Sequence, residues 1–295
     1  MAANFSATNA MEAVAAVGSG LGYQAAVKYA SLGASTLILG VRSQKKGEQA
    51  KAAIIRATGC SPDIFLVLTL DLTQLQSLAG GLMKTSYVSS DDGYELSLQA
   101  NALTPCLLAL LLLPKMRATA ATLDEHERYH ISFVNSVAFL EVTAEDLQPR
   151  DASENPQTLT QRCNSEADFE FQKQYFFVKL VAWFAMQGVA EKSEVEVVVN
   201  ATCPGLCNTN KLHELPLSAR LAMAVNYFIM GRSAGQGACT MIRATNLGRE
   251  SHSKLWTNDQ HPPPTALLAN QQGEQLYLET WKESIGILEN MLALP

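Results

Sequence analysis

Charged side chains are scarce in this chain of 295 residues: they make up 17% of it, against 47% hydrophobic residues. Soluble domains usually carry roughly 25% charged residues. The 28 acidic residues outnumber the 22 Lys and Arg residues, which gives a formal net charge of −6. Nucleic-acid-binding proteins are typically basic, so nucleic acid is not an expected partner. The many apolar side chains also exclude a disordered chain.

Long apolar runs are also lacking. The longest covers residues 106–113 and is closed by Pro114, whereas a membrane-spanning helix needs roughly 20 apolar residues. We therefore expect this run in a buried helix and no membrane span. The first ten residues, MAANFSATNA, have neither the basic region nor the apolar core of a secretory signal. These features predict a cytoplasmic protein.

Cysteine and histidine show no spacing typical of ligands. Only Cys203 and Cys207 lie close together among the six cysteines, and no second pair matches them. Neither a disulfide framework nor a zinc site is expected. The five histidines are equally scattered, so no metal is expected.

Continuous apolar segments of strand length alternate with helical segments. Such strands are buried on both faces, which is typical of a doubly wound parallel sheet, so we predict a Rossmann-like α/β fold. The polar stretch 141–168 and the proline-rich stretch 258–264 are expected to be loops within a single domain over 1–295. The predicted strands are 36–41, 64–70, 129–138 and 195–201, and the predicted helices are 25–32, 45–58, 96–113, 169–191 and 272–292.

Closely spaced glycines precede the first predicted helix. Gly18, Gly20 and Gly22, with Leu21 among them, would let the backbone approach a pyrophosphate at the helix N-terminus. An ordinary glycine-rich turn explains the pattern equally well. The preceding residues 13–17 are Ala-rich and are expected to make a poor strand.

Side chains after the second and third predicted strands are candidates for nucleotide recognition. Arg42 lies about 20 residues beyond the glycines, where a guanidinium suits a 2′-phosphate and would favour NADPH over NADH. Solvated Arg residues are also common at such positions. Asp71 follows the third strand and is a candidate to meet the adenine.

Tyr175 and Lys179 are spaced to share one helix face. An ammonium beside a phenol is expected to lower the Tyr pKa from about 10, giving a proton donor for a carbonyl oxygen that receives hydride. The alternative is an aromatic helix with one lysine reaching solvent. Ser136 ends a predicted strand, where ligands bind in doubly wound sheets, and could hydrogen-bond a substrate carbonyl; elsewhere it would be a turn serine.

Together these residues resemble the short-chain dehydrogenase/reductase family, in its retinol-dehydrogenase-like and WW-domain-oxidoreductase-like branch. The resemblance covers about residues 14–292 and rests on the order and spacing of its motifs. These are GLG at 20–22, VRS at 41–43, LDL at 70–72, DGYEL at 92–96, Asn101, LLLPKMR at 111–117, Asn135-Ser136, Tyr175 with Lys179, Pro204-Gly205 and Thr209.

The resemblance implies an NADPH-dependent carbonyl reductase, or alcohol dehydrogenase in reverse, acting on an apolar small molecule. Tyr175 would be the general acid, Ser136 would position the carbonyl, Lys179 would bind the nicotinamide ribose, and Asn101 would hold a water. A homodimer through helices 96–113 and 169–191 is a further expectation. The implied NADP(H)-binding residues are Gly18, Gly20, Leu21, Gly22, Arg42, Asp71, Leu72, Pro204, Gly205 and Thr209.

The sequence departs from the family in three places. Ala15 and Ala16 stand where the family has Thr-Gly, and only 30 residues separate Asp71 from Asn101, which is too few for the usual elements and predicts a missing central strand. The insertion 141–168 is expected to form a lid or pocket wall, and 210–235 a substrate flap. Two alternatives stay open: an enzyme of this fold repurposed for isomerisation, cyclisation or dehydration, and a non-catalytic relative.

Overall fold

The structure is a computed structural model of the chain. It describes residues 11–15, 20–41, 43–69, 84–120, 129–148, 157–194, 197–208 and 231–293. These residues fall into two compact units. The first unit contains the described residues up to 69 together with 204–243, and the second contains those from 84 to 203 together with 244–293. The single domain that the sequence predicts stays a prediction.

The described residues form short parallel sheets and seven α-helices. The strands are β1 (Met11–Ala15), β2 (Thr36–Val41), β3 (Phe65–Thr69), β4 (Tyr129–Val134), β5 (Val197–Thr202), β6 (Cys207–Asn208), β7 (Arg232–Ser233) and β8 (Leu255–Trp256). The helices are α1 (Leu21–Ser31), α2 (Gln44–Thr58), α3 (Leu96–Ala120), α4 (Leu159–Cys163), α5 (Phe171–Ser193), α6 (Ala234–Ala244) and α7 (Gln271–Ala293).

Parallel strands in the order β1-β2-β3 form the main sheet of the first unit. The middle strand, β2, is apolar, and its Leu37 and Leu39 are fully buried. Ala25 and Ala26 of α1 lie in the same apolar cluster, and their small side chains allow close packing. Gly33 follows α1 with a φ of 86°, a left-handed conformation that favours glycine. The apolar pattern and this glycine thus define the first β-α-β unit.

The second unit is built around α5. Its sheet has the parallel order β4-β5-β8, and every residue of the central strand β5 is buried. Helix α5 packs on β5, and α7 packs on α5. All residues from 177 to 186 are buried. A helix that is apolar around its whole circumference belongs inside a core, which is where this one lies.

The structure confirms the α/β class with parallel sheets. Strand β2 has the predicted bounds, and β3, β4 and β5 lie largely within the other predicted strands. The Ala-rich segment was expected to make a poor strand, but Met11–Ala15 pairs in register with β2, with Val14 opposite Leu39. Pairing with a buried neighbour outweighs the weak strand propensity of alanine here.

Several elements differ from the sequence expectation. Helix α3 continues through Pro114 to Ala120, although proline usually ends a helix. Helix α4 lies inside the stretch 141–168 that was expected to be a loop, and α6 was not predicted. Between residues 84 and 95 the structure forms no strand, only an isolated bridge of Ser89 with Glu95. Residues 70–83 lie outside the described residues, so the missing central strand stays a prediction.

Helix α3 is the one described helix long and apolar enough to cross a membrane. However, 67% of its most apolar stretch is buried inside the protein, as in the core helix of a soluble protein. It carries the exposed Leu111 and Leu112. Helix α5 offers little surface for the predicted homodimer, because its own chain buries it.

Gly188 on α5 lies against the Trp281 ring of α7. A Cβ built at Gly188 would lie 2.3–2.4 Å from three ring carbons of Trp281, well inside van der Waals contact. We therefore expect Gly188→Ala to lower the free energy of unfolding by about 1–3 kcal/mol through overpacking. Urea denaturation measures the change.

Gly286 on α7 is the matched control, because a Cβ there would meet nothing within 4 Å. Gly286→Ala should be neutral or stabilise by up to about 1 kcal/mol, since alanine is the better helix former. Equal unfolding midpoints for the two variants would contradict the tight Gly188–Trp281 contact.

His252 links the central strand to the segment before β8. Its Nδ1 accepts a hydrogen bond from the Val199 N–H at 3.2 Å, which requires that nitrogen to be unprotonated. Burial is the main cause that lowers the pKa of His252 from its ordinary 6.5, and a bond to the Ala190 carbonyl partly opposes it. The folded protein therefore binds this proton less readily than the unfolded chain.

Stability should consequently fall on acidification. The contribution of His252 is fully present above pH 6.5 and is lost as the pH falls through the lower folded-state pKa. We expect the urea midpoint to drop less between pH 7.5 and pH 5 in His252→Gln, which keeps an acceptor but does not titrate, than in the wild type. An identical drop in both proteins would rule out the role of His252.

Candidate active site

Tyr175 and Lys179 lie one turn apart on the buried helix α5. The Lys179 Nζ is 5.7 Å from the centre of the Tyr175 ring, and the Lys179 side chain is only 1% exposed. The alternative of a lysine reaching solvent is therefore wrong. Burying an ammonium costs free energy unless polar groups surround it. A lysine at this buried position is therefore more typical of a functional site than of an ordinary helix surface.

Ser136 follows the carboxyl end of β4. It caps a short 3-10 helix, Val137–Glu141, and its Oγ accepts a hydrogen bond from the Ala138 N–H at 3.2 Å. The hydroxyl hydrogen stays available for donation when the oxygen accepts in this way. Ser136 therefore lies at the strand end where ligand binding is expected, and its hydroxyl group can donate a hydrogen bond.

Asn135 ties Ser136 to α5. Its Oδ1 accepts from the Ser136 N–H at 2.9 Å, and its Nδ2 donates to the Lys179 carbonyl at 3.3 Å. Its own N–H donates to the Thr202 carbonyl of β5 at 2.8 Å. Asn135 thus connects the end of β4 to α5 through its side chain and to β5 through its backbone. The sequence pattern includes Asn135 in a motif but does not reveal this role.

Packing below the serine turn supports the same arrangement. The Val137 N–H points at the Cys203 Sγ, 3.4 Å away. The rings of Phe139 and Trp183 stack with centroids 4.8 Å apart, and both are buried. The turn that carries Ser136 is consequently fixed to β5 and α5 by apolar as well as polar contacts.

Asn101 lies in a distorted part of α3. Residues Gln99–Leu103 form a π-helical turn, a rare feature that is frequent at functional sites. The Asn101 Nδ2 donates to the Ser97 carbonyl at 2.7 Å, and the side chain is 3% exposed. The π turn packs against α5. The second unit thus contains all four predicted catalytic residues, and Asn135 bonds to two of them.

The first unit contains the described part of the predicted cofactor site. Gly20 stands before α1 with φ 86° and ψ −148°, a conformation that is essentially restricted to glycine. Leu21 and Gly22 begin α1, whose first turn has neither an acidic residue nor a side-chain cap. Helix N-terminal N–H groups without such partners suit an anion. These residues therefore fit a pyrophosphate.

The other predicted cofactor residues are described only in part. Pro204 and Gly205 follow β5, and Gly205 adopts a φ of 79° beside the Arg232 side chain. A Cβ at Gly237 on α6 would lie 2.7 Å from Leu21, so α6 packs tightly against the start of α1. The remaining predicted residues lie outside the described residues: Gly18, Arg42, Asp71, Leu72 and Thr209.

The described part of the insertion is anchored rather than free. Helix α4 begins with a capping box of Thr158 and Gln161, and its Leu159 and Cys163 belong to the main core. Residues 159–163 are thus packed on the core, and the role of the insertion as a lid or pocket wall stays a prediction. Most of the predicted flap 210–235 lies outside the described residues, but its end forms β7 and the start of α6.

Thiol and metal chemistry find no support in the described segments. Burial raises the pKa of Cys106 to about 12 and that of Cys163 well above its ordinary value, so neither thiol is an activated nucleophile. In the part of the chain that the structure describes, no three His, Cys, Asp or Glu side chains come together as a metal-binding group.

No protein-family model matches the chain. Curated relatives do: the chain is 35% identical over 284 residues to the short-chain dehydrogenase/reductase ffsI of Aspergillus flavipes, covering 90% of this chain and 81% of the relative. It is 32% identical to the short-chain dehydrogenase/reductase phmF of Phaeosphaeria nodorum, covering 93% and 85%.

Solved structures share the fold. The L-sorbose reductase of Gluconobacter frateurii, complexed with NADPH and L-sorbose, matches with a TM-score of 0.60 at 14% identity, covering 86% of this chain and 96% of that one. The acetoin dehydrogenase of Enterobacter cloacae matches with a TM-score of 0.55 at 15% identity, covering 84% and 94%. The chain therefore belongs to the short-chain dehydrogenase/reductase family of NAD(P)-dependent oxidoreductases, which act on small molecules.

Proposed function

We propose that the protein is an NADPH-dependent carbonyl reductase, or an alcohol dehydrogenase in reverse, with an apolar small molecule as substrate. The observation that carries the proposal is the buried Lys179 side chain, whose Nζ lies 5.7 Å from the centre of the Tyr175 ring. An ammonium enclosed beside a phenol favours the phenolate and so makes the phenol a better proton donor. The Asn135 bonds to Ser136 and to the Lys179 carbonyl add a second polar group to the same site.

Each of the four residues of the site contributes to the reduction. Ser136, whose oxygen already accepts from Ala138, donates its hydroxyl hydrogen to the substrate carbonyl. Tyr175 gives its proton to the same oxygen as it becomes an alcohol, which is general acid catalysis. Lys179 stabilises the resulting phenolate and binds the nicotinamide ribose, and Asn101 holds a water that returns a proton. Bound NADPH supplies the hydride.

The cofactor residues of this proposal follow the sequence expectation. Gly18, Gly20, Leu21 and Gly22 receive the pyrophosphate, which the glycine-only conformation of Gly20 supports. A guanidinium at position 42 receives the 2′-phosphate. The adenine side falls to Asp71 and Leu72, and the nicotinamide side to Pro204, Gly205 and Thr209. Structures of this fold complexed with NADPH include the L-sorbose reductase and a short-chain dehydrogenase of Sphingobium yanoikuyae.

We also propose a cytoplasmic location, and the exposure of the two predicted dimer helices bears on self-association. The sequence predicts pairing through helices 96–113 and 169–191, but α5 is buried along residues 177–186. Leu111 and Leu112 of α3 are 58% and 41% exposed. Within the predicted pairing, α3 therefore offers exposed apolar surface, at these leucines.

Tyr175→Phe tests the assignment of the proton donor. The variant keeps the ring and its packing but loses the hydroxyl, so turnover of a panel of aliphatic and aromatic aldehydes and ketones should fall by about 10²–10⁴-fold. The affinity for NADPH, measured by fluorescence titration, should change less than about threefold. Steady-state NADPH oxidation measures the turnover.

Tyr129→Phe is the matched control, because Tyr129 lies at the opposite end of β4 from Ser136. It should retain wild-type turnover. Undiminished turnover in Tyr175→Phe would assign the proton donor elsewhere. Failure of the wild type to bind NADPH at millimolar concentration would exclude the reductase itself and favour a non-redox or non-catalytic protein.

Arg42→Ala tests the choice between NADPH and NADH. Loss of a charge-assisted bond to the 2′-phosphate costs about 1.5–3 kcal/mol, so the dissociation constant for NADPH should rise at least about tenfold while that for NADH stays constant. Arg56→Ala, in the last turn of α2, is the control and should change neither constant. Parallel weakening of both cofactors would contradict recognition of the 2′-phosphate by Arg42.

A further inference from the structure

A buried polar pair joins the first turns of α3 and α5. Glu95 precedes α3 and is 0% exposed, and Gln174 lies in the first turn of α5 and is 4% exposed. The Gln174 Nε2 donates to the Glu95 Oε2 at 3.1 Å. The two residues are 79 positions apart, so this hydrogen bond is a tertiary contact between the helices that carry Asn101 and Tyr175.

Glu95 fixes the start of α3. Its Oε2 also accepts from the Leu98 N–H at 2.8 Å, which caps the helix. Its backbone N–H donates to the Asn164 Oδ1 at 2.6 Å. The helix that contains Asn101 is therefore held at its first turn both by α5 and by the residue that follows α4.

Gln174 fixes the start of α5 in the same way. It directly precedes Tyr175, and its Nε2 makes a second bond, to the Cys163 carbonyl at 2.7 Å. Both amide hydrogens are thus used, one for each neighbouring element. Because Gln174 and Tyr175 are adjacent in one helical turn, the position of the amide limits both the rotation and the shift of Tyr175.

Burying a carboxylate at this place is expensive. One oxygen of Glu95 accepts two bonds, and Oε1 has no hydrogen-bond partner among the described residues. Apolar residues of similar volume often stabilise a core better than buried charged groups do. Packing alone therefore does not account for Glu95, whereas a requirement for fixed helix positions does.

We propose that Glu95 and Gln174 are positioning residues for catalysis, which connect the end of α4 at Cys163 and Asn164 to the two helices that carry Asn101 and Tyr175. This inference rests on the proposed function, because it assigns its effect to the reductase site. Neither residue touches the reacting atoms. Glu95 acts by fixing α3, which carries Asn101, and Gln174 acts by fixing α5, which carries Tyr175.

Gln174→Met tests the pair, since methionine keeps the volume of glutamine but donates no hydrogen bond. A shift of about 1 Å at a catalytic group costs about 10²-fold, so we expect kcat for carbonyl reduction to fall about 10- to 100-fold. The KM for NADPH should stay within about threefold. Gln172→Met, an exposed position on the same turn, is the control and should leave kcat unchanged.

Two variants of Glu95 separate hydrogen bonding from charge. Glu95→Gln retains an oxygen that accepts from Leu98 and Gln174, and should keep kcat within about threefold of the wild type. Glu95→Met loses that acceptor and should lose as much kcat as Gln174→Met. The kcat loss in the double variant Glu95→Met with Gln174→Met should be smaller than the product of the two single losses, because both substitutions remove the Glu95–Gln174 bond.

Stability and cofactor titration complete the test. Urea denaturation and the stoichiometry of NADPH binding give the folded, binding-competent fraction, and kcat is expressed per competent molecule. Wild-type kcat per competent molecule in Gln174→Met, or multiplicative losses in the double variant, would overturn the positioning role and leave the reductase proposal intact. A wild type that neither binds NADPH nor reduces any carbonyl would instead overturn the proposed function, and this inference with it.

Discussion

The burial of a lysine side chain inside an apolar helix is the constraint on which the second unit depends. Lys179 is 1% exposed, and its chain neighbours Val178 and Leu180 are fully buried. Burying a polar amino group has a desolvation cost, so other interactions must hold the surrounding elements close. The buried strand β5 beneath α5 and the contact of Trp281 on α7 with Gly188 provide them. The apolar residues around α5 thus enclose the polar site that contains Lys179.

Polar groups inside this core are paired with elements distant in the chain. Asn135 connects β4, β5 and α5, and Gln174 connects α5 with Glu95 before α3 and with Cys163 at the end of α4. A buried amide is costly unless its donors and acceptors are used, and strongly directional once they are. Apolar packing sets how near the elements lie, and these few bonds set their register. Together, apolar packing and directional hydrogen bonds account for a well-defined polar site within an apolar core.

Features that depend on a local sequence pattern could be predicted, whereas contacts with residues distant in the sequence could not. The bounds of β2 were predicted because a continuous apolar run lies between Gly33 and a polar segment, and the pairing of Tyr175 with Lys179 follows from helical spacing. Helix α6 escaped prediction because its sequence, AGQGACTMIRA, contains two glycines, which are poor helix formers. The role of Asn135 could not be predicted, because its partner is a carbonyl 44 residues away.

One of the two departures from the family's glycine motif, Ala15 in place of Thr, lies where it changes the backbone conformation little. Ala15 is the last residue of β1 and lies in parallel register with Gly40, in regular strand backbone that any residue adopts. The backbone conformation that only glycine tolerates occurs at Gly20, and glycine is retained there. A change from Thr to Ala at a strand end removes a side-chain hydroxyl but leaves the backbone path available. Gly20 therefore keeps a conformation that lets the backbone approach the N-terminus of α1 closely, whatever residue ends the preceding strand.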